Sequence, residues 1–295
     1  MPALPPFARV DHIVIAVRDL AAAEDAYTRM LGLVPSLHSS HPTYGTTNVI
    51  FGLANCYIEL LALGPGTPSH PLATALASYL ARRPEGVFAL ALGSDDLDRT
   101  AAAAQAAGVT PGPIGDMLAV GPAGSVRRGR VLPFAREHTR GVNVFAIEHD
   151  TDGVPRAVPS GSVNAAVSAV DHVVMFSDDL EGALTLWQNA FAIPERWRRE
   201  FPERGTINVG LRLGGVTLEL VAPLGGAAGE RGERLWGVAY VVADCDAAVA
   251  RLRAARIAAS DVRAGLAPAT RVASVKWSDG VPTLLIEHVG RAIRA

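Results

Sequence analysis

The sequence predicts an α+β fold of four βαβββ modules, paired into two tandem halves with curled mixed sheets. Three observations carry this expectation. The first is a repeat: VDHIVIAVRDL at 10–20 returns as VDHVVMFSDDL at 170–180. The match keeps a constant spacing of 160 residues, so that Pro42, Gly45, Thr46, Asn48, Val49, Leu53, Glu59 and Leu60 all find twins within 201–220. A period of that length is domain-sized, far longer than a solenoid repeat. The second is that each half itself repeats the order strand, helix, strands. The third is the change of hydrophobic period, from two in runs such as HIVIAV to helical spacing in DLAAAEDAYTRMLGL.

The elements follow in order. HIVIAV reads as a strand, and Asp19 opens the next helix as its N-cap. TTNVIFGL and CYIELLAL read as strands split by the turn residues Ala54 and Asn55. The same order returns in VFALALGSDDLDRTAAAAQAAGV, GRVLPFAREH and VNVFAIEH. It comes a third time over 170–223, and a fourth in WGVAYVVADCDAAVARLRAARI, RVASVKW and PTLLIEHV. The expected modules are therefore 8–63 and 86–150 in a half spanning 1–151, and 170–223 and 235–290 in a half spanning 169–295. A link covers 152–168. The helix-like LATALASYLARR joins the first two modules, and the glycine-rich PLGGAAGERGE reads as a flexible loop between the last two.

Composition narrows the class. The chain has 295 residues, 49% of them apolar, with 27 basic and 29 acidic side chains for a net charge of −2. Balanced charge gives no electrostatic case for nucleic acid or an anionic membrane surface. Cys56 and Cys245 are too few for a disulfide framework or a thiolate metal site. With neither a signal-like apolar core at the start nor a membrane-length apolar run, a soluble cytoplasmic protein is expected.

This arrangement resembles the vicinal oxygen chelate superfamily, which includes glyoxalase I, the bleomycin and fosfomycin resistance proteins and the extradiol dioxygenases. The first half is most similar to the glyoxalase-like group, through DHIVIAV, HPTYGTTN and YIELL. The resemblance implies two glyoxalase-like domains, in each of which two modules curl a sheet around a cleft. The first and last strands of each module point side chains into it, often to hold a divalent metal. The superfamily spans lyases, isomerases, dioxygenases and binding proteins, so fold alone does not choose among them.

Strand alternation selects the candidate residues. His12 shares a strand face with Val14 and Ala16, and Glu59 shares one with Tyr57 and Leu61. A carboxylate among such neighbours must be solvated in a cleft, paired or metal-bound. Glu148, Glu219 and Glu287 pose the same question in their strands. The expected metal sets are His12, Glu59 and Glu148 in the first half and His172, Glu219 and Glu287 in the second. One imidazole with two carboxylates suits Fe, Mn, Ni, Co or Zn. Any of the four glutamates is also a candidate to move a proton in catalysis. His41, Tyr44, Asn48, Tyr57, Arg204 and Asn208 are the substrate-binding candidates, although Asn48 and Asn208 fit equally the role of tying down the turns after Gly45 and Gly205. The two histidines, likewise, fit either a ligand role or a hydrogen bond within the sheet.

The pattern departs from its relatives at the first-strand ligand of the second and fourth modules. Those positions hold Ala89, or Val87 if the register slips by two, and Gly237. A four-ligand glyoxalase I site and the two-histidine site of ring-cleaving dioxygenases are therefore both incomplete. The expected function is a metal-assisted lyase, isomerase or dioxygenase acting on a small oxygenated substrate, with a metal-free binding protein as the alternative. The expected partner is a small molecule, with no nucleic acid or membrane, and a homodimer is compatible. The entrance residues differ between halves (His41, Tyr44 and Tyr57 against Phe201, Arg204 and Thr217), so unequal roles are expected, with the first half favoured for substrate.

Overall fold

The computed structural model describes residues 6–150, 153–225, 233–276 and 280–290. The first half contains β1 (Arg9–Ala16), α1 (Leu20–Leu31), β2 (Leu33–Val34), β3 (Leu37–His41), β4 (Thr46–Gly52), β5 (Tyr57–Leu63), α2 (Pro71–Arg82), β6 (Gly86–Gly93), α3 (Leu97–Ala106), β7 (Gly115–Val120), β8 (Val126–Pro133) and β9 (Asn143–His149). After β10 (Val158–Pro159), the second half contains β11 (Val167–Phe176), α4 (Leu180–Leu184), β12 (Glu195–Phe201), β13 (Thr206–Leu213), β14 (Val216–Pro223) and β15 (Arg234–Val242). It ends with α5 (Cys245–Ala254), β16 (Ala258–Ala259), β17 (Arg263–Ala264), β18 (Thr270–Lys276) and β19 (Thr283–His288). The fold is mixed α+β and mostly strand.

One device starts α1, α3, α4 and α5. Asp19, Asp96, Asp179 and Asp244 each accept a hydrogen bond from the backbone N–H three residues on, at 2.9–3.0 Å. A side-chain oxygen thereby satisfies one of the donors that a helix start leaves unpaired. Each of these helices packs on the apolar face of its sheet, opposite the cleft. Ile13, Ile15, Ile58 and Leu60 of the first half join Val173, Met175 and Trp187 of the second in one continuous core. Phe7, Phe134 and Phe191 interlock within it, with ring centroids 5.2–6.3 Å apart. Arg251 of α5 reaches across to the Met30 carbonyl at the end of α1, at 2.8 Å.

The two sheets part company in how they close. The first is a closed eight-stranded barrel, β1-β5-β4-β3-β7-β8-β9-β6, sealed where Ser40 of β3 pairs with Val120 of β7. The second is an open sheet in the order β12-β13-β14-β11-β15-β19-β18-β16, with β17 on β18. Its free edge strand β12 reads ERWRREF, and charged edge strands resist pairing. The Arg199 side chain reaches across from this strand, its Nη1 donating to the Leu266 carbonyl at 3.0 Å.

The first barrel is also plugged at both ends. Leu76 and Leu80 of α2 bury themselves against Val14, Ala16 and Leu61 on its inner face. At the other end the link crosses Gly52 so closely that a Cβ there would sit 2.1 Å from the Pro155 carbonyl oxygen. Only glycine admits that approach. The link expected over 152–168 thus contributes structure: β10 pairs with β2, and β11 already begins at Val167. In the second half a short segment, 224–233, joins β14 to β15 where α2 stands in the first. Most of it, 226–232, and residues 151–152 of the link lie outside the described residues.

Candidate functional site

A β-bulge builds each site. In the β1–β6 ladder Val10 faces Leu92 and His12 faces Ala91, leaving Asp11 as the extra residue. In β11–β15 Val170 faces Tyr240 and His172 faces Ala239, leaving Asp171. A bulge brings two successive side chains toward the same face, where a regular strand would oppose them. The aspartate can therefore hold the histidine beside it: His12 Nδ1 donates to Asp11 Oδ1 at 2.8 Å, and His172 Nδ1 to Asp171 Oδ1 at 2.7 Å.

The far nitrogen meets a glutamate from the neighbouring parallel strand. His12 Nε2 lies 3.4 Å from Glu59 Oε2, and His172 Nε2 lies 3.2 Å from Glu219 Oε2. The other glutamate oxygen accepts from an asparagine on the next strand, Asn48 Nδ2 at 2.5 Å and Asn208 Nδ2 at 2.7 Å. Both asparagines hold the glutamates rather than the turns after Gly45 and Gly205. A second imidazole completes each network, with His149 Nε2 3.1 Å from Asp11 and His288 Nε2 2.6 Å from Asp171.

Electrostatics follows from these contacts. Burial alone would lower the pKa of His12, but its bonds to Asp11 and Glu59 outweigh that and raise it to about 9. Burial would raise Glu59, yet the bond and charge of His12 bring it down to about 2. The same contest lifts His172 above the ordinary imidazole value, through Asp171 and the charge of Glu219, and depresses Asp171. Each site is thus an imidazolium clamped between two carboxylates.

Access separates the halves. The side chains of His12 and Glu59 are 3% and 9% exposed, against 18% and 16% for His172 and Glu219. In the first barrel His12 stacks on Tyr57 with ring centroids 4.3 Å apart and meets the edge of Phe145 at 5.5 Å. His41 is buried and shares a hydrogen bond with Thr46, its pKa lowered by desolvation. Tyr44 donates to the Asp116 carbonyl at 3.0 Å. Among the described residues the second cleft lacks this ring stack: Thr217 replaces Tyr57 beside His172, and the guanidinium carbon of Arg204 lies 5.4 Å from the Phe201 ring.

Glu148 and Glu287 correct the expected ligand sets. Both side chains point to the helix face, away from the clefts. Glu148 accepts from Arg130 at 2.9 Å and from the Leu97 N–H at the start of α3 at 2.8 Å. Glu287 does the same with Arg271, at 3.1 Å, and with the Cys245 N–H of α5, at 2.9 Å. Strand alternation explains this: Phe145, Ile147 and His149 share the cleft face of β9, so Glu148 between them cannot. The signal was in the sequence, since each glutamate is followed by the histidine that does face the cleft.

The same register tests the expected divalent ion. His12 sits beside Tyr57 and Glu59 beside Val14 in the β1–β5 pair. In β6–β9 the corresponding positions are Ala89 and Phe145, and in β15–β19 they are Gly237 and Leu284. None of these four can ligate. At these register positions each half therefore offers two donors, one imidazole nitrogen and one carboxylate, while His149 and His288 are engaged by Asp11 and Asp171. Among the described residues, no group of three or more His, Cys, Asp or Glu is arranged to hold a metal. This donor set does not fit a resident ion held by three or four protein ligands.

Comparison with known proteins agrees with the fold. The profile of the glyoxalase-like domain family matches residues 10–167. The chain belongs to that family. A second profile, of the glyoxalase, bleomycin resistance protein and dioxygenase superfamily, matches 171–273 of this glyoxalase-like protein, so the two domains stand in tandem. An ethylmalonyl-CoA/methylmalonyl-CoA epimerase of Cereibacter sphaeroides is 37% identical over 79 residues, 26% of this chain. The match spans about half of that curated relative, 54% of its length. A mutant of 4-hydroxymandelate synthase from Streptomyces coelicolor has a TM-score of 0.68, covering 98% of this chain and 95% of its own at 16% identity. A hypothetical protein from Staphylococcus aureus has a TM-score of 0.62, covering 94% and 98% at 13% identity. At such identities the likeness is one of fold. Among the described residues no helix is long and apolar enough to cross a membrane.

Proposed function

We propose that this glyoxalase-like protein is a small-molecule enzyme that moves a proton on an oxygenated substrate, and that its working cleft is the second one. One observation carries the reading: the Asp171–His172–Glu219 chain is repeated from the first half, yet only here is it open to solvent. Glu219 takes the proton from a carbon beside a carbonyl. The electron pair of that C–H bond moves onto the carbonyl oxygen, and the Nε2–H of the His172 imidazolium, directed at Glu219 in the free site, turns to that oxygen and stabilises the charge. Asp171 keeps that imidazole charged and oriented, and Asn208 holds Glu219 in place. Returning the proton gives an isomerase or epimerase. Expelling a group from the adjacent carbon gives a lyase. The two-donor set supports these over a dioxygenase, which depends on a fuller set of metal ligands. The local identity with an acyl-CoA epimerase points the same way. The closed first domain serves in this reading as scaffold.

The test is exchange of substrate C–H for deuterium, followed by NMR in heavy water over a panel of 2-substituted acyl-CoA thioesters and 2-hydroxyaldehydes. Exchange that requires the protein supports the reading. Binding of a panel compound without exchange would favour the metal-free binding protein, a reading supported by the exposed indoles of Trp197 and Trp236.

A further inference from the structure

The two clefts differ at one buried atom. In the first, Ser39 Oγ donates to Asn48 Oδ1 at 2.6 Å while Asn48 Nδ2 donates to Glu59, so the amide is used at both ends. In the second, Arg199 stands opposite Asn208 in the β12–β13 ladder, as Ser39 stands opposite Asn48 in β3–β4. The Arg199 guanidinium leaves for the Leu266 carbonyl and lies 5.0 Å from the centre of the Phe201 ring. Asn208 Nδ2 still holds Glu219, but Asn208 Oδ1 is buried and has no hydrogen-bond partner among the described residues. The residue as a whole is 7% exposed. A buried acceptor left in this state carries its full desolvation cost, and native structures rarely keep one without a use.

The surface beside it is apolar. Val174, Phe176 and Val221 occupy the positions of Val14, Ala16 and Leu61, which α2 covers in the first half. Here they are only half-buried. Trp236, 44% exposed, packs against Phe176 with ring centroids 5.2 Å apart. Trp197, 40% exposed, lies over Gly210, where a Cβ would stand 2.2 Å from the indole nitrogen.

We propose that the second cleft takes an apolar ring compound bearing a hydroxyl, which donates to Asn208 Oδ1 while the ring lies over Phe176 and Val221. This rests on the reading of the second cleft as the working one and adds the class of ligand. Arg199 must release Leu266 to admit the hydroxyl. That contact is a single exposed hydrogen bond to a carbonyl, so the release is easy. A hydroxyl bound there sets the neighbouring carbon beside Glu219, the group that Asn208 also holds.

The test titrates 2-naphthol and 2-methoxynaphthalene, which differ in that one donor, into the full-length protein. Binding is read from the NMR shifts of the Trp197 and Trp236 indoles, assigned with tryptophan-to-phenylalanine variants. The naphthol is expected to bind about tenfold more tightly, the worth of one net hydrogen bond. Arg199→Ser, which supplies the hydroxyl that Ser39 supplies in the first half, should erase that preference and raise Tm, because the orphaned acceptor gains a partner. Equal affinities in the wild type, or a preference that survives in Arg199→Ser, overturn the subsite. If equal affinities accompany proton exchange that still depends on Glu219, only the subsite falls. If neither compound moves the indoles and no exchange occurs, the second-cleft reading falls with it.

Discussion

Glu219 stands 3.2 Å from the far nitrogen of His172 in a cleft that solvent enters, while Glu59 makes the same contact with His12 inside a sealed barrel. The difference does not lie in the five residues of each network, which repeat the same contacts among themselves. It lies in what the chain places around them: α2 and the link plug the first, and a charged edge strand keeps the second from closing.

Glu148→Gln and Glu287→Gln should each lower Tm modestly, since each loses a charge-assisted bond to an arginine and weakens a helix start. Neither should alter ligand binding or exchange in the second cleft. Thermal melts paired with the exchange assay check this. Loss of exchange at unchanged stability would return these glutamates to the site.

Equilibrium dialysis of chelator-free protein against Mn, Ni and Zn should show only weak uptake, because two donors per half make a poor cage. Stoichiometric binding at micromolar concentration, lost in His172→Ala, would contradict the two-donor reading.

The first network makes stability depend on pH in a stated direction. His12 is raised from 6.5 to about 9, so its contribution is complete below 6.5 and disappears as pH rises through 9. Glu59 is lowered from 4.5 to about 2, so its contribution is complete above 4.5 and disappears as pH falls toward 2. These are two views of one interaction and are not summed; its ceiling is about 3 kcal/mol. Wild-type Tm should therefore fall more steeply between pH 6.5 and 9 than that of His12→Gln. Parallel profiles would mean that the buried imidazole is neutral.

In the second cleft the contacts of His172 with Asp171 and Glu219 raise its pKa above the ordinary imidazole value, and the proposed proton transfer depends on that charge. Asp171→Asn removes the strongest support for that charge. The alkaline limb of the exchange rate should then move to lower pH in the variant. An unmoved limb would assign the proton donor elsewhere.

Much of this was legible in the sequence. The constant spacing from Val10 to Leu60 fixed the tandem likeness, and strand alternation placed His12 with Glu59 and His172 with Glu219. The same alternation in VNVFAIEH and TLLIEH turns Glu148 and Glu287 to the helix face and the adjacent His149 and His288 to the cleft, against the ligand role that the resemblance implies for the glutamates. Asp11 and Asp171 were hidden for a different reason. A regular strand would turn them away, and the bulge that turns them inward depends on pairing with β6 and β15, strands far along the chain. Access was likewise unreadable, because Tyr57, Tyr44 and His41 suggest a richer first cleft until α2 and Pro155 are seen to close it.

The most direct test of the second cleft is the matched pair Glu59→Gln and Glu219→Gln in the deuterium-exchange assay, with Tm recorded for both. Glutamine keeps the shape and removes the charge, so it separates chemistry from packing. The account predicts that Glu219→Gln abolishes exchange with little change in Tm, while Glu59→Gln lowers Tm and leaves exchange in the folded protein intact. Exchange lost in folded Glu59→Gln and retained in Glu219→Gln would move the chemistry into the first barrel and contradict the account.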